Sequence, residues 1–227
     1  MRSSFFLLLS LLALGAHAEP PPSIEVAYEL QRNGSAIADV VERLQYAQGK
    51  YRLTESWKGR GIYALLGSAH RVSRGSVVAD VLRPSEFSDA RSGRDTARAW
   101  FDWKAMVLTM QYKGDRKSER LYPDGQDRLS FLLALSLLPG HGSSAAYHIA
   151  DGKGISYHRY ELRGSERIRT PAGDFDTVRV ARVGQPGEKD SAELWLAADL
   201  GYIPVRLLDI EKDGTRYEQL ATRISRP

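Results

Sequence analysis

The sequence predicts a mainly β protein in which a long, curved antiparallel sheet, shaped as a half-barrel or rolled sheet, wraps around one apolar helix. Many runs alternate apolar and polar residues, as expected for strands with one buried face. Turn signals such as Asn33-Gly34 and Asp213-Gly214 separate these runs. One stretch, from Leu129 to Leu138, lacks this alternation and is apolar except for Ser130 and Ser136.

The predicted strands follow one another along the chain with short turns between them. The first, SIEVAYELQR, places Ile24, Val26, Tyr28 and Leu30 on one face, and Asn33-Gly34 suits the tight turn after it. In the first half, further strands are expected at residues 36–46, 51–57, 71–87, 97–103 and 105–114, with a short helix or irregular connection at 61–71, a mobile loop at 88–95, and Pro84 at the end or edge of its strand. In the second half, β runs occupy residues 147–162, 167–184, 191–201 and 202–224, which brings the expected total to about ten strands.

The stretch from Leu129 to Leu138 is predicted to be a helix. Asp127 can cap its start and Pro139-Gly140 can end it. Its apolar residues cover nearly the whole circumference, so it must be buried on most sides, and it is too short to cross a bilayer, which takes about 20 apolar residues. Two interpretations remain open: a plain core helix, or a helix that partly fills a cavity able to take a ligand.

The first 18 residues have the pattern of a cleavable secretory signal peptide. Arg2 is followed by an apolar run from Phe5 to Leu14 and by the small-x-small sequence Ala16-His17-Ala18. Cleavage there would leave residues 19–227 as a single β-rich domain. The chain has no cysteine, which excludes disulfides and a lipidation site after the signal. We therefore expect a bacterial periplasmic protein that is not lipidated and has no transmembrane segment in its mature part.

The charge pattern indicates a mixed surface. The formal net charge is +4 and basic and acidic residues alternate, so nucleic acid is not an expected partner. The arginine-rich segment 88–98, with Arg91, Arg94 and Arg98, could instead contact an envelope protein or anionic groups.

Candidate catalytic motifs are weak. Residues 59–64, GRGIYA, imitate a dinucleotide fingerprint but follow an alternating strand. His141 with Ser143 or Ser144 offers the one hydrolase candidate, in a loop that misses the nucleophile-elbow pattern. The histidines lack metal-ligand spacing, and Asp174 and Asp176 sit beside a turn with no converging partner. We expect no enzyme activity, no cofactor and no metal.

Large side chains with a polar tip suit the lining of a ligand cavity. If the helix lines such a cavity, its leucines would join the aromatic residues of the strands. The ligand-lining candidates are Trp57, Tyr63, Tyr112, Leu129, Leu133, Leu137, Trp195 and Tyr202.

The sequence resembles the exported bacterial proteins of the domain-of-unknown-function family 3108. The resemblance rests on RTPAGDFDTVRV, ELWLAADLGYIPVRL and EQLATRI in the second half, and on RVSRGSVVADVLRPSEF, WFDW and DRLSFLLAL in the first. It covers almost all of the mature chain and implies no catalytic residues. At the level of fold alone, the predicted sheet around an apolar helix is similar to the periplasmic lipoprotein-localisation carriers, which hold acyl chains between sheet and helix.

Two functions remain open at this point. The first is a non-enzymatic binding or carrier protein for a hydrophobic or lipid-like ligand, such as an acyl chain, held beside the helix. The alternative is a structural or interaction protein of the envelope, with a filled core and no small-molecule ligand.

Overall fold

The computed structural model describes residues 23–79, 81–184 and 187–226. The predicted signal peptide and the first four residues after it lie outside the described residues.

The first half of the chain contains eight consecutive strands. They are β1 (Ser23–Arg32), β2 (Ser35–Ala47), β3 (Lys50–Gly59), β4 (Ser68–Val78), β5 (Val81–Arg91), β6 (Arg94–Asp102), β7 (Val107–Tyr112) and β8 (Asp115–Arg120). A short 3-10 helix, Gly61–Leu66, joins β3 to β4. Asn33 and Gly34 both have positive φ, at 49° and 81°, which confirms the tight turn predicted from the sequence.

The second half begins with the helix region and ends with five long strands. Its elements are β9 (Gly125–Asp127), α1 (Ser130–His141), β10 (Ser144–Ala150), β11 (Ile155–Thr170), β12 (Gly173–Arg182), β13 (Ser191–Ala197), a 3-10 turn (Ala198–Leu200), β14 (Ile203–Ile210) and β15 (Arg216–Ser225).

All fifteen strands belong to one sheet, which confirms the predicted fold class. Their spatial order is β8-β7-β6-β5-β4-β3-β2-β1-β15-β14-β13-β12-β11-β10-β9. Neighbours are antiparallel except β9 and β10, which are parallel. The two halves of the chain meet where β1 pairs with β15, so the termini of the described domain lie in the middle of the sheet.

The sheet rolls up without closing into a hydrogen-bonded barrel. Its last strand approaches β5, where the Gln126 amide donates to the Leu82 carbonyl at 2.9 Å. The β10–β11 turn packs on β6 so closely that a Cβ at Gly152 would lie 2.7 Å from the Arg98 backbone nitrogen. Side-chain contacts and close backbone packing therefore hold the roll shut, and β6 to β8 extend beyond the seam.

The helix α1 fills one half of the roll. Its residues Leu133 and Ala134, together with Leu129 just before the helix, pack in the larger apolar core, and Leu135 and Leu138 pack in a second core beside β12 and β13. Successive hairpin turns alternate between the two ends of the roll. We call the end that carries the β1–β2, β5–β6, β10–β11 and β14–β15 turns the mouth. Because Asp127 on β9 pairs beside Ala150 at the mouth-side end of β10, α1 starts nearer the mouth and runs to the far end.

The start of α1 is fixed by a buried carboxylate. One oxygen of Asp127 accepts the backbone N–H groups of Leu129 and Ser130, each at 2.8 Å, and the other accepts the Ser73 hydroxyl at 2.6 Å. Burial raises the pKa of Asp127 to about 6, although these hydrogen bonds act against the rise. The predicted capping role of Asp127 is confirmed. The predicted end is wrong: α1 continues through Pro139 to His141, and the Gly142 N–H bonds back to the Leu138 carbonyl at 3.1 Å.

Three further local predictions need correction. The single strand expected over 71–87 is a hairpin of β4 and β5, whose turn at Ala79 lacks an evident signal. Pro84 lies inside β5, at a bulge opposite Gly75, where a missing N–H is tolerated. Residues 88–95, expected as a mobile loop, form the paired ends of β5 and β6 around a tight turn.

Candidate functional site

Two adjoining cavities occupy the mouth half of the roll, which α1 leaves unfilled. The helix-side cavity, of about 650 Å³, lies between the start of α1 and strands β10 to β14. The loop-side cavity, of about 680 Å³, lies between β3 to β5 and the turns that lead into β13 and β15. Six residues border both cavities: Glu55, Arg71, Arg128, Arg182, Asp209 and Gln219.

One wall of the helix-side cavity is apolar. The helix contributes Phe131 and Leu132, and the strands contribute Ile149, Leu194 and Leu207. Leu194 packs with Val180 and Leu196 inside the roll, whereas Trp195 beside it lies on the opposite face of β13, where Arg206 covers its ring and leaves it 4% exposed. This wall can bury hydrocarbon by the ordinary hydrophobic effect.

The shared wall is charged, and two of its arginines are paired within the protein. The Arg71 guanidinium bonds the Glu55 carboxylate and lies 3.3 Å from Asp89. Arg182 donates to the Asp190 carboxylate at 2.7 Å and to its backbone carbonyl at 2.8 Å. These pairs offset part of the cost of placing charge inside the roll.

Arg128, the third arginine of the shared wall, is not paired. No hydrogen bond or ion pair reaches its guanidinium within the described ranges 23–79, 81–184 and 187–226. Its side chain is exposed to the solvent of the two open cavities, while protein atoms surround these cavities on most sides. Desolvation, followed by repulsion from Arg71 and Arg91, lowers its pKa from the ordinary value. A guanidinium stays protonated in a protein in spite of such a shift, so the positive charge of Arg128 remains although its surroundings disfavour it.

Asp209, on β14, borders the same two cavities. No other described residue hydrogen-bonds its carboxylate or forms an ion pair with it. The side chain is exposed to the open cavities, and partial desolvation raises its pKa, while the positive charges of Arg128 and Arg182 act against the rise. Arg128 and Asp209 are therefore two charged groups that face one space without a direct contact.

A third carboxylate, Glu42, lies deeper, where β2 faces α1. Burial and the negative charge of Glu55, its direct cross-strand partner on β3, raise the pKa of Glu42 to about 8, and Arg71 acts against the rise. One Glu42 oxygen is buried with no hydrogen-bond partner among the described residues. Glu42 is therefore mostly protonated at neutral pH.

The eight ligand-lining candidates fall in different places. Trp57 borders the loop-side cavity. Leu133 is buried in the core and borders a small pocket of about 30 Å³ behind the helix. Leu129 and Leu137 belong to the core packing. Trp195 lies on the outer face of the sheet, where its indole N–H donates to Glu166 and Arg206 stacks over its ring. Three tyrosines border neither large cavity: Tyr63, Tyr112 and Tyr202.

Phe131, Leu132 and Arg128 line the helix-side cavity but are not among the residues predicted from the sequence, although their spacing holds a signal. Residues at i, i+3 and i+4 share one face of a helix, so Arg128, Phe131 and Leu132 point in the same direction if the turn at residues 128–129, just before Ser130, continues the helical path. The charged partners Arg71, Arg182 and Asp209 come from distant strands, and no local pattern connects them.

The weak catalytic motifs are not brought together with the cavities. His141, Ser143 and Ser144 are exposed at the far end of α1. Asp174 pairs with Arg169 at 2.8 Å and Asp176 with Arg167 at 3.3 Å, both on the surface. Residues 59–64 enter the 3-10 helix between two antiparallel strands, which is not a dinucleotide-binding context. Within the described part of the chain, no helix is both long and apolar enough to cross a membrane.

Comparison with known proteins places this fold. The beta-barrel-like protein of the domain-of-unknown-function family DUF1849 from Brucella abortus is similar, with a TM-score of 0.58 and 9% identity over 91% of this chain and 98% of that one. A Bacteroides fragilis protein with a YmcC-like fold, described as exported, matches with a TM-score of 0.41 and 18% identity over 91% of this chain and 96% of that one. No curated protein sequence matches the chain.

The sequence itself matches a family model. The family described as protein of unknown function (DUF3108) matches residues 23–220, which is most of the chain. This match confirms the resemblance drawn from the sequence motifs, and the protein therefore belongs to the DUF3108 family.

Proposed function

We propose that this is an exported, periplasmic, non-catalytic binding or carrier protein for a lipid-like ligand, whose hydrocarbon part lies in the helix-side cavity. The observation that carries the proposal is the cavity of about 650 Å³ between α1 and the sheet, with Phe131, Leu132 and Leu194 on its apolar wall. Small-molecule sites commonly measure about 300 to 1,000 Å³ and combine apolar walls with a few polar groups. The alternative, an envelope interaction protein with a filled core, gives no reason for this space.

The arrangement suits an amphiphile better than a wholly apolar compound. The apolar wall starts at the helix, and the shared charged wall lies beside it, with Arg128 and Asp209 facing the space. An acyl chain against Leu132 would leave its head group among the charges. In the proposed orientation the tail lies beside α1 and the head group points toward the loop-side cavity, because the apolar wall and the charged wall adjoin in this order.

Exposed apolar side chains on the 3-10 helix support exchange of such a ligand at the mouth. Ile62 is 77% and Leu65 is 90% exposed. The 3-10 helix ends just before Ser68, which borders the loop-side cavity. Apolar groups beside an opening can contact a membrane surface while a ligand passes.

The proposed location follows from the signal peptide predicted over residues 1–18, with the mature domain starting at Glu19. A lipid-like compound that crosses an aqueous compartment needs its hydrocarbon covered, and a rolled sheet with an internal cavity provides that cover.

The direct test is binding of palmitate, a 16-carbon fatty acid, to the mature protein by native mass spectrometry and calorimetry. Ala192→Trp would fill the helix-side cavity, because Ala192 is part of its wall. Ala105→Trp adds the same bulk at an exposed turn at the far end and is the matched control. We expect one bound palmitate in the wild type and in Ala105→Trp, and none in a folded Ala192→Trp. Equal binding by all three would refute the assignment of the cavity.

A further inference from the structure

Arg128 is the one arginine of the shared wall that lacks a counter-ion in the described structure. Arg71 and Arg182 each have carboxylate partners, and the neighbouring Arg91 bonds Asp89 at 2.7 Å. Arg128 lies among these groups at the entrance to α1 and borders both cavities. An unpaired cation therefore borders the space in which a ligand would lie.

Arg128 keeps solvent contact through the open cavities, but the protein around it removes part of its hydration, and no described carboxylate pairs with it to offset that loss. Arg128 cannot relieve the cost by losing its proton, because guanidinium stays charged. Desolvation and the repulsion from Arg71 and Arg91 lower the pKa of Arg128, and the more weakly acting charges of Glu55 and Asp89 oppose this shift. An anion bound at Arg128 would replace the missing partner, because a guanidinium forms bidentate hydrogen bonds with carboxylates and phosphates.

The helix places this cation and the apolar wall together. Arg128 precedes Phe131 and Leu132 by three and four residues, and all three border the helix-side cavity. A ligand that touches both must combine hydrocarbon with a polar, negatively charged end within a short distance.

We propose that the ligand is an acyl-chain amphiphile whose head group carries an anionic oxygen, in a carboxylate or a phosphate, and that Arg128 binds this group. The inference rests on the proposed function, since it specifies the head group of the ligand in the same cavity. Arg128 is then the residue that discriminates an anionic amphiphile from a neutral one of equal chain length.

Asp209 gives a test in which palmitate affinity should change in the direction opposite to that expected for Arg128. A purely structural role of the two residues would not produce this difference. The Asp209 carboxylate borders the same space without a protein partner, so it would repel a simple fatty acid. Asp209→Asn should therefore tighten palmitate binding, while Arg128→Gln should weaken it.

The experiment compares three probes by calorimetry and native mass spectrometry: palmitate, 1-hexadecanol and inorganic phosphate. The variants are Arg128→Gln, Arg128→Lys, Asp209→Asn and the control Arg74→Gln. Arg74 is an exposed arginine of β4 that pairs with Glu86 at 3.4 Å, away from the cavities. Urea unfolding of the ligand-free variants verifies that each is folded, and we expect Arg128→Gln to be no less stable than the wild type.

We expect the wild type and Arg74→Gln to bind palmitate roughly ten- to hundredfold more tightly than 1-hexadecanol, the usual effect of a charge-assisted hydrogen bond. Arg128→Gln should lose this preference but keep 1-hexadecanol binding, and Arg128→Lys should keep part of it. If the wild type binds inorganic phosphate through Arg128 but binds neither palmitate nor 1-hexadecanol, the anion site is supported. The ligand is then a free anion, and the proposal of an amphiphile is overturned.

The two proposals fail in different ways. Equal binding of palmitate and 1-hexadecanol by wild type and Arg128→Gln would overturn the role of Arg128 and leave the lipid-binding function standing. Failure of the wild type to bind any of the three probes would refute the proposed function itself.

Discussion

Two adjacent leucines of α1 are expected to respond very differently to the same truncation. Leu133 is 5% exposed and packs in the larger core. Leu133→Ala should leave a cavity and cost about 3 kcal/mol of unfolding free energy, within the range for buried leucines. In a domain of this size that loss lowers the midpoint of thermal unfolding by roughly 6 to 12 °C.

Leu132 lies one position earlier and borders the helix-side cavity, besides the small pocket of about 30 Å³ that it shares with Leu133. Leu132→Ala creates no new enclosed void, so we expect a cost of about 1 kcal/mol from the reduced apolar contact alone. The lost contact with an acyl chain is of similar size, which weakens palmitate binding roughly tenfold.

The assay combines urea unfolding with palmitate titration for the wild type and both variants. The account requires Leu133→Ala to lose stability mainly, and Leu132→Ala to lose affinity mainly. Equal loss of stability with unchanged affinity in both would show that the two faces of α1 are equivalent and that neither faces a ligand.

Three other outcomes follow from the same geometry. Glu42 has a pKa of about 8 in the folded protein, against 4.5 ordinarily, so its protonated form favours folding. The wild type should therefore lose stability, on the order of 4 kcal/mol, as pH rises from about 5 to about 8, and Glu42→Gln should flatten this profile in urea unfolding; parallel profiles would contradict the assignment. Asp127→Ala removes three hydrogen bonds at the start of α1 and should cost about 2 to 4 kcal/mol, whereas Asp127→Asn, which keeps a capping oxygen, should cost less, as circular-dichroism melting would show. Replacing Ile62 and Leu65 together by serine should slow palmitate uptake from vesicles severalfold in stopped-flow fluorescence without changing its equilibrium affinity, and an unchanged rate would exclude the 3-10 helix from exchange.

Much of the fold could be predicted because its signals are local. Alternation marks β1 and the tight turn at Asn33-Gly34 follows it, so strand and turn are fixed within a dozen residues. The sequence predicts about ten strands and the structure has fifteen in its described part. One difference arises where a turn has no glycine or proline signal, as at Ala79. Another arises at 88–95, where alternating charges and small residues imitate a loop but pair across a hairpin.

The candidate site was less predictable because it depends on how the sheet closes. A helix that is apolar all round gives no sign of which face meets a cavity. The sequence therefore predicts Leu129, Leu133 and Leu137 as lining residues, whereas Phe131 and Leu132 line the space. The charged wall joins residues from β4, β12 and β14 that lie far apart in sequence. Their convergence comes from the order of strands in the roll, which no single segment encodes.

The most direct test of the account is native mass spectrometry of the mature protein exported to a bacterial periplasm and purified without detergent. Wild type and Ala192→Trp should be prepared side by side, and anything bound should be extracted into organic solvent. We expect an added mass on the wild type that extracts as an anionic lipid and is missing from the folded variant. A bare wild-type mass that stays unchanged after incubation with envelope lipids would contradict it, and would make α1 an ordinary core helix.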